Sequence, residues 1–149
     1  MNENLLQLYQ QLIIDHGRNP RNFGKLECCT HSQEGYNPIC GDQLELFLEI
    51  DKDIIKNVKF SGHGCAISMA SASLMTSAIK GHDQAYAQSI FYQFTELLKE
   101  DCQANIEDLG KLKVLEGVKH YPSRIKCATL SWHALNNILN NIKEVAKTE

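Results

Sequence analysis

Four side chains in this sequence have the chemistry to share a soft metal ion: Cys40, Asp42, Cys65 and Cys127. Three thiolates and a carboxylate make a four-coordinate zinc site, and thiolates held this way can also handle sulfur. Asp42 stands two residues beyond Cys40 in Ile39-Cys40-Gly41-Asp42, and each cysteine falls where a loop meets a regular element. The intervals between the cysteines match no paired Cys-x-x-Cys zinc finger. Spacing alone therefore leaves two readings open, a shared metal site and three unrelated buried cysteines.

The elements that must position these groups are legible in outline. Leu5, Leu6, Leu8, Tyr9, Leu12 and Ile13 recur at helical spacing behind Asn4 as N-cap, and Gly17 and Pro20 close that first helix. Leu44, Leu46, Leu48 and Ile50 alternate with polar residues, the period of a strand with one buried face. Asp51-Lys52-Asp53 then turns the chain into a second strand from Ile54 to Phe60, giving a hairpin. Ala66 to Lys80 reads as a helix rich in small residues, able to lie close against its neighbours. A further helix runs from about Gln84 to Lys99 behind Asp83, with Ile90, Phe91, Phe94, Leu97 and Leu98 on its apolar face.

Gly110 and Gly117 mark a looser connection, and Pro122-Ser123 opens a last helix carrying Ile125, Trp132, Leu135, Ile138, Leu139 and Ile142 inward before a charged tail. Helices and one antiparallel hairpin make the class α+β, a small antiparallel sheet packed against helices. In this frame Cys65 follows Gly62-His63-Gly64 at a helix N-terminus, where free N–H groups lower a thiol's pKa. Cys127 is expected in the first turn of the last helix, four residues past the cap Ser123, with Arg124 on a neighbouring face. Cys40 sits in a loop held by Pro38 and Gly41, which makes it the most mobile of the three.

Composition narrows the class. The 149 residues, 43% hydrophobic and 22% charged, fit one soluble domain spanning 1–149. A net charge of -3 and a pI near 6.1, with scattered Lys and Arg, offer nothing to neutralise phosphates, so nucleic acid is not expected as a partner. There is no signal-like N-terminus and no apolar run of membrane length, which points to a cytoplasmic protein without a membrane partner. Six cysteines are too few for a secreted disulfide scaffold, and in a reducing cytosol they more often bind metal or react. Cys28, Cys29 and Cys102 lack a ligand-like neighbour in sequence and read as small buried hydrophobes.

The words around the site cysteines go further. Asn37-Pro38-Ile39-Cys40-Gly41-Asp42, Gly62-His63-Gly64-Cys65-Ala66-Ile67-Ser68-Met69-Ala70-Ser71-Ala72-Ser73 and Arg124-Ile125-Lys126-Cys127-Ala128-Thr129-Leu130-Ser131-Trp132 closely resemble the signature segments of the IscU-like family. So does Asp15-His16-Gly17-Arg18-Asn19-Pro20-Arg21-Asn22, and the likeness runs from about Leu8 to Ala134. Lys126 stands where the iron-sulfur scaffold branch carries a histidine, and the sequence from Leu97 to Tyr121 is longer than in that branch. Both features resemble the SufU branch.

That resemblance implies a SufE/IscU-like α+β fold, Zn2+ held by Cys40, Asp42, Cys65 and Cys127, and sulfur received from the cysteine desulfurase SufS. A zinc with four protein ligands normally reads as structural. The resemblance implies a way out, in which a partner histidine replaces Cys40 on the zinc and the freed thiolate attacks the desulfurase persulfide. Downstream Suf scaffold proteins would then take the sulfur. A scaffold that assembles a transient iron-sulfur cluster on the same ligands, and a structural zinc module that docks a partner, are the competing functions. His63 reads as a loop histidine near the site, Arg124 as either a thiolate-stabilising or a surface arginine, and His16 and Arg21 as capping and packing residues. Gly17 replaces a residue commonly aromatic in the family, and His133 one that is often lysine in the SufU branch; neither carries assigned chemistry.

Overall fold

The computed structural model describes residues 3–99 and 106–148. Four strands, β1 (His31–Asn37), β2 (Asp42–Asp51), β3 (Ile54–His63) and β4 (Ala146–Lys147), form one sheet in the order β3-β2-β1-β4. β1, β2 and β3 are antiparallel neighbours, and β4 runs parallel to β1. Helices α1 (Glu3–Arg18), α2 (Ala66–Ile79), α3 (Gln84–Leu97) and α4 (Pro122–Leu139) pack with the sheet around a shared hydrophobic core. The class is α+β, as expected, with a richer sheet than the single hairpin.

The β2–β3 hairpin turns on Lys52 and Asp53, both at left-handed φ of 51° and 69°. Such a two-residue loop matches the right-handed twist of the strands it joins. Leu44, Leu46 and Leu48 are buried as their alternation requires, but Ile50 is only half-buried, because a register shift between Glu49 and Ile50 breaks the period. β1 was not anticipated. Its inward residues are Gln33, Gly35 and Asn37, so it has the period of a strand without the apolar residues that announce one. β4 likewise lies in the charged tail, where no sequence pattern announces a strand.

α2 is buried nearly all round, between α1, α4 and the sheet, which is why it has small residues instead of an apolar stripe. One of its hydroxyls ties it to α4: Ser71 donates to the Ala128 carbonyl and accepts from Trp132 Nε1 at 3.0 Å. Trp132 is fully buried and stacks on Phe94 with ring centroids 4.4 Å apart. α3 has Asp83 as its N-cap, accepting from the Tyr86 N–H, and buries all five apolar residues expected on its face or at its end.

Several expectations are corrected. α1 already includes Asn4, which is therefore not its cap, and Leu8 is exposed while Tyr9, Leu12 and Ile13 pack on the core. α4 ends at Leu139, so Ile142 lies beyond it and is exposed. The connection from Ile106 to His120 is a 3-10 segment kinked at Gly110. Cys28 is exposed and Cys29 half-buried, so neither is a core residue. Cys102 lies outside the described residues. None of the described helices is long and apolar enough to cross a membrane.

Candidate metal centre

The β1–β2 hairpin places the first two ligand candidates. Asn37 and Asp42 pair across its end, and Pro38, Ile39, Cys40 and Gly41 make the loop. Gly41 has φ 73°, a backbone conformation open to glycine, and its N–H donates to the Asn37 carbonyl at 2.9 Å. This fold-back brings Cys40 over Asp42. Cys127 approaches from α4. The candidate ligand atoms of Cys40, Asp42 and Cys127 all lie within 4.8 Å of one another, with Asp42 and Cys127 buried and Cys40 half-buried.

Cys65 completes the neighbourhood from the other side. It is the N-cap of α2, where its Sγ accepts from the Ser68 N–H at 3.5 Å, and its own N–H donates to Asp42 Oδ1 at 2.9 Å. It stands outside the tightest trio and is joined to it through the bond its N–H makes to Asp42. Cys127 sits differently from its expected place. α4 begins at Pro122 with Tyr121 as N-cap, so Cys127 lies in the second turn, not the first, and Ser123 caps nothing. Without the free N–H groups of a helix start, the environment acts the other way. Burial pushes the Cys127 thiol well up, and the neighbouring Cys40, Asp42 and Cys65 push it further.

Arg124 reaches this cluster from the solvent side. Hydrogen bonding to Cys127, then the charges of Cys65, Cys127 and Cys40, hold its exposed guanidinium still more firmly protonated. Lys126, one residue from Cys127, is half-buried. His63 ends β3, exposed and opposite Gln43. His16 is buried and shares a 2.7 Å hydrogen bond with Ser73 Oγ, and the Arg21 N–H donates to the same oxygen while its guanidinium pairs with Asp15 at 2.6 Å. Both thus tie the end of α1 and the turn after it to α2.

Sequence reasoning missed Asn37. It is fully buried, and its Nδ2 donates to Asp42 Oδ2 at 3.1 Å and to Cys127 Sγ at 3.5 Å. A polar residue buried at a strand end, just before the proline of the Cys40 loop, was the available signal.

The donor set fits a soft divalent cation. A buried carboxyl and two converging thiols, with a third thiol beside them, are the soft and hard donors a four-coordinate zinc takes, and a cation among them would offset the cost of burying their charge. Among the described residues this is the one such group of Cys, His, Asp and Glu.

Comparison with known proteins gives consistent relatives. The family model described as the NifU-like N-terminal domain matches residues 8–128. The chain is 47% identical to the zinc-dependent sulfurtransferase SufU of Bacillus subtilis, covering 99% of this chain and 96% of that one. It is 36% identical to the iron-sulfur cluster assembly scaffold protein IscU of Streptococcus pyogenes, over 91% of this chain and 84% of the relative. Among solved structures, a candidate SUF-system cluster scaffold, FiSufU, from Fervidobacterium islandicum superposes with a TM-score of 0.84 at 33% identity, covering 93% of this chain and 99% of that one.

Proposed function

The chain belongs to the NifU-like N-terminal domain family, among its SufU-like iron-sulfur cluster assembly proteins, and from that premise we propose that it carries sulfur in a zinc-dependent way, taking it onto Cys40 from a SufS-type cysteine desulfurase. The observation that carries this reading is the unequal anchoring of the ligands. Asp42 and Cys127 are buried and joined through Asn37, whereas Cys40 rides half-buried on a four-residue loop.

Cys40, Asp42, Cys65 and Cys127 would hold the zinc. When bound, the ion supplies the positive charge that keeps these thiols deprotonated near neutral pH. Asp42 and Cys127 stay where their hydrogen bonds fix them. Cys40, on its loop, would be the ligand best able to leave the ion and face a partner as a thiolate. It attacks the outer sulfur of the desulfurase persulfide: a Cys40 S–S bond forms, the desulfurase S–S bond breaks, and the desulfurase cysteine leaves as thiolate. No electrons enter or leave. The persulfide on Cys40 then passes to a downstream acceptor, for which a Suf scaffold protein is the natural class.

Lys126 separates this reading from cluster assembly, because an ammonium side chain is a poor replacement for a cluster-ligating imidazole. A structural zinc module would leave Cys40 no more reactive than the other ligands. The test is to incubate the protein with a cysteine desulfurase and cysteine, then look by mass spectrometry for one added sulfur on Cys40. Zinc and no visible absorption are expected in protein purified without added iron. Brown protein with visible absorption favours the scaffold, and a Cys40→Ser variant that stimulates the desulfurase fully rejects transfer through Cys40.

A further inference from the structure

We propose that Asn37 is a positioning residue of the metal centre, one that locks Asp42 to Cys127 and sets them apart as the fixed ligands while leaving Cys40 free to exchange. This rests on the zinc reading given above. The side-chain amide has two N–H donors, and both hydrogen bonds it makes from Nδ2 end on proposed ligands, Asp42 Oδ2 at 3.1 Å and Cys127 Sγ at 3.5 Å. These two residues come from different elements, β2 and α4, and stand 85 positions apart in the chain. Besides Asn37, the only described hydrogen bond to the Asp42 carboxyl comes from the Cys65 N–H.

The rest of Asn37 is spent on the loop. Its Oδ1 accepts from the Ile39 N–H at 3.3 Å and its carbonyl from the Gly41 N–H at 2.9 Å, so the residues on either side of Cys40 are tied to Asn37. Asn37 therefore acts as a single anchor with two outputs: it holds two ligands directly and defines the pivot of the third. Complete burial gives these bonds their value, since an amide here has no water to replace a lost partner. Outer partners that orient metal ligands typically change affinity about 10–100-fold when removed.

The experiment is zinc competition with a chromophoric chelator on purified full-length protein, comparing the unaltered chain with Asn37→Ala and Asn37→Ser. Zinc affinity should fall about 10–100-fold, and the absorption bands of the cobalt-substituted variants should shift, reporting altered ligand geometry. Asn57→Ala, which removes a part-buried hydrogen bond to Glu49 between β2 and β3, should change neither. A residue that merely supports the fold would lower the melting temperature of the metal-free protein and leave the cobalt bands of the folded fraction in place; that result overturns the proposal. Should both variants fail to fold, the side-chain amide resonances of Asn37 in the unaltered protein decide: they should shift on zinc loading, and unmoved resonances overturn it. Unaltered protein that binds no zinc sinks this inference together with the zinc reading. Protein that binds zinc through Asn37-sensitive ligands but never carries sulfur on Cys40 sinks only the transfer step.

Discussion

Gly64 packs against Asp42 so closely that a Cβ on Gly64 would stand 2.6 Å from Asp42 Oδ1 and 3.1 Å from its Cγ. Nothing but hydrogen fits there, because Asp42 is held in place by the Cys65 N–H on one oxygen and Asn37 on the other. Gly64→Ala must move the carboxyl, and overpacking of this kind costs about 1–3 kcal/mol. We expect a lower melting temperature and substoichiometric zinc after purification, both read on the same sample. A variant that melts and loads zinc like the unaltered protein would show that Asp42 has no fixed place.

What the sequence showed of this centre depended on side-chain chemistry that is local. Cys40, Asp42, Cys65 and Cys127 stand out by type, whereas Asn37 matters only because β1 and β2 pair it opposite Asp42. β1 itself, with Gln33, Gly35 and Asn37 inward, buries polar and small residues and so breaks the usual link between apolar alternation and strand. β4 has only two residues and exists through its pairing with β1. The 3-10 segment did leave a trace: Leu109, Leu112, Leu115 and Val118 are all buried and recur every three residues, the 3-10 period instead of 3.6. The start of α4 differs from expectation because Ser123 is a common cap type, while Pro122 at the first helical position makes Tyr121 the cap residue.

Arg124 is exposed and its guanidinium is held protonated by the neighbouring thiols, so its removal should separate chemistry from stability. Arg124→Ala is expected to change folding stability by no more than about 0.5 kcal/mol, as for an ordinary surface site. Zinc stoichiometry should hold. The rate of sulfur uptake by Cys40 should drop about tenfold, equivalent to one hydrogen bond to a charged group, with Arg124→Lys in between. Unchanged uptake kinetics would make Arg124 a simple surface residue.

His133 and His16 give the fold an acid-sensitive side. Burial lowers the pKa of both below the ordinary 6.5; for His16 Arg21 and Lys111 add to the effect and Asp15 opposes it. Below pH 6.5 the unfolded chain therefore binds more protons than the folded one, and stability falls as the pH drops through the folded-state values. Above that range the contribution is complete. Melting temperatures of metal-free protein should decline from pH 7 to about pH 5, and His133→Leu, beside Phe91, should flatten the decline. An equally steep curve in that variant would assign the acid sensitivity elsewhere.

The β2–β3 turn contains an improvable position. Lys52 and Asp53 both occupy the left-handed region, which costs a non-glycine residue roughly 1–2 kcal/mol. Asp53 is compensated, since its Oδ1 accepts from Gln84 Nε2 at 2.9 Å and its carbonyl from the Gln84 N–H at 3.1 Å, which ties the turn to the start of α3. Lys52 has no such bond among those described. Asparagine tolerates this conformation far better and is favoured at the first position of such turns. Lys52→Asn should thus raise stability by about 0.5–1 kcal/mol in urea titration, with the slope of the transition and the zinc content unchanged. A loss of stability would mean that the turn does not hold both residues at positive φ.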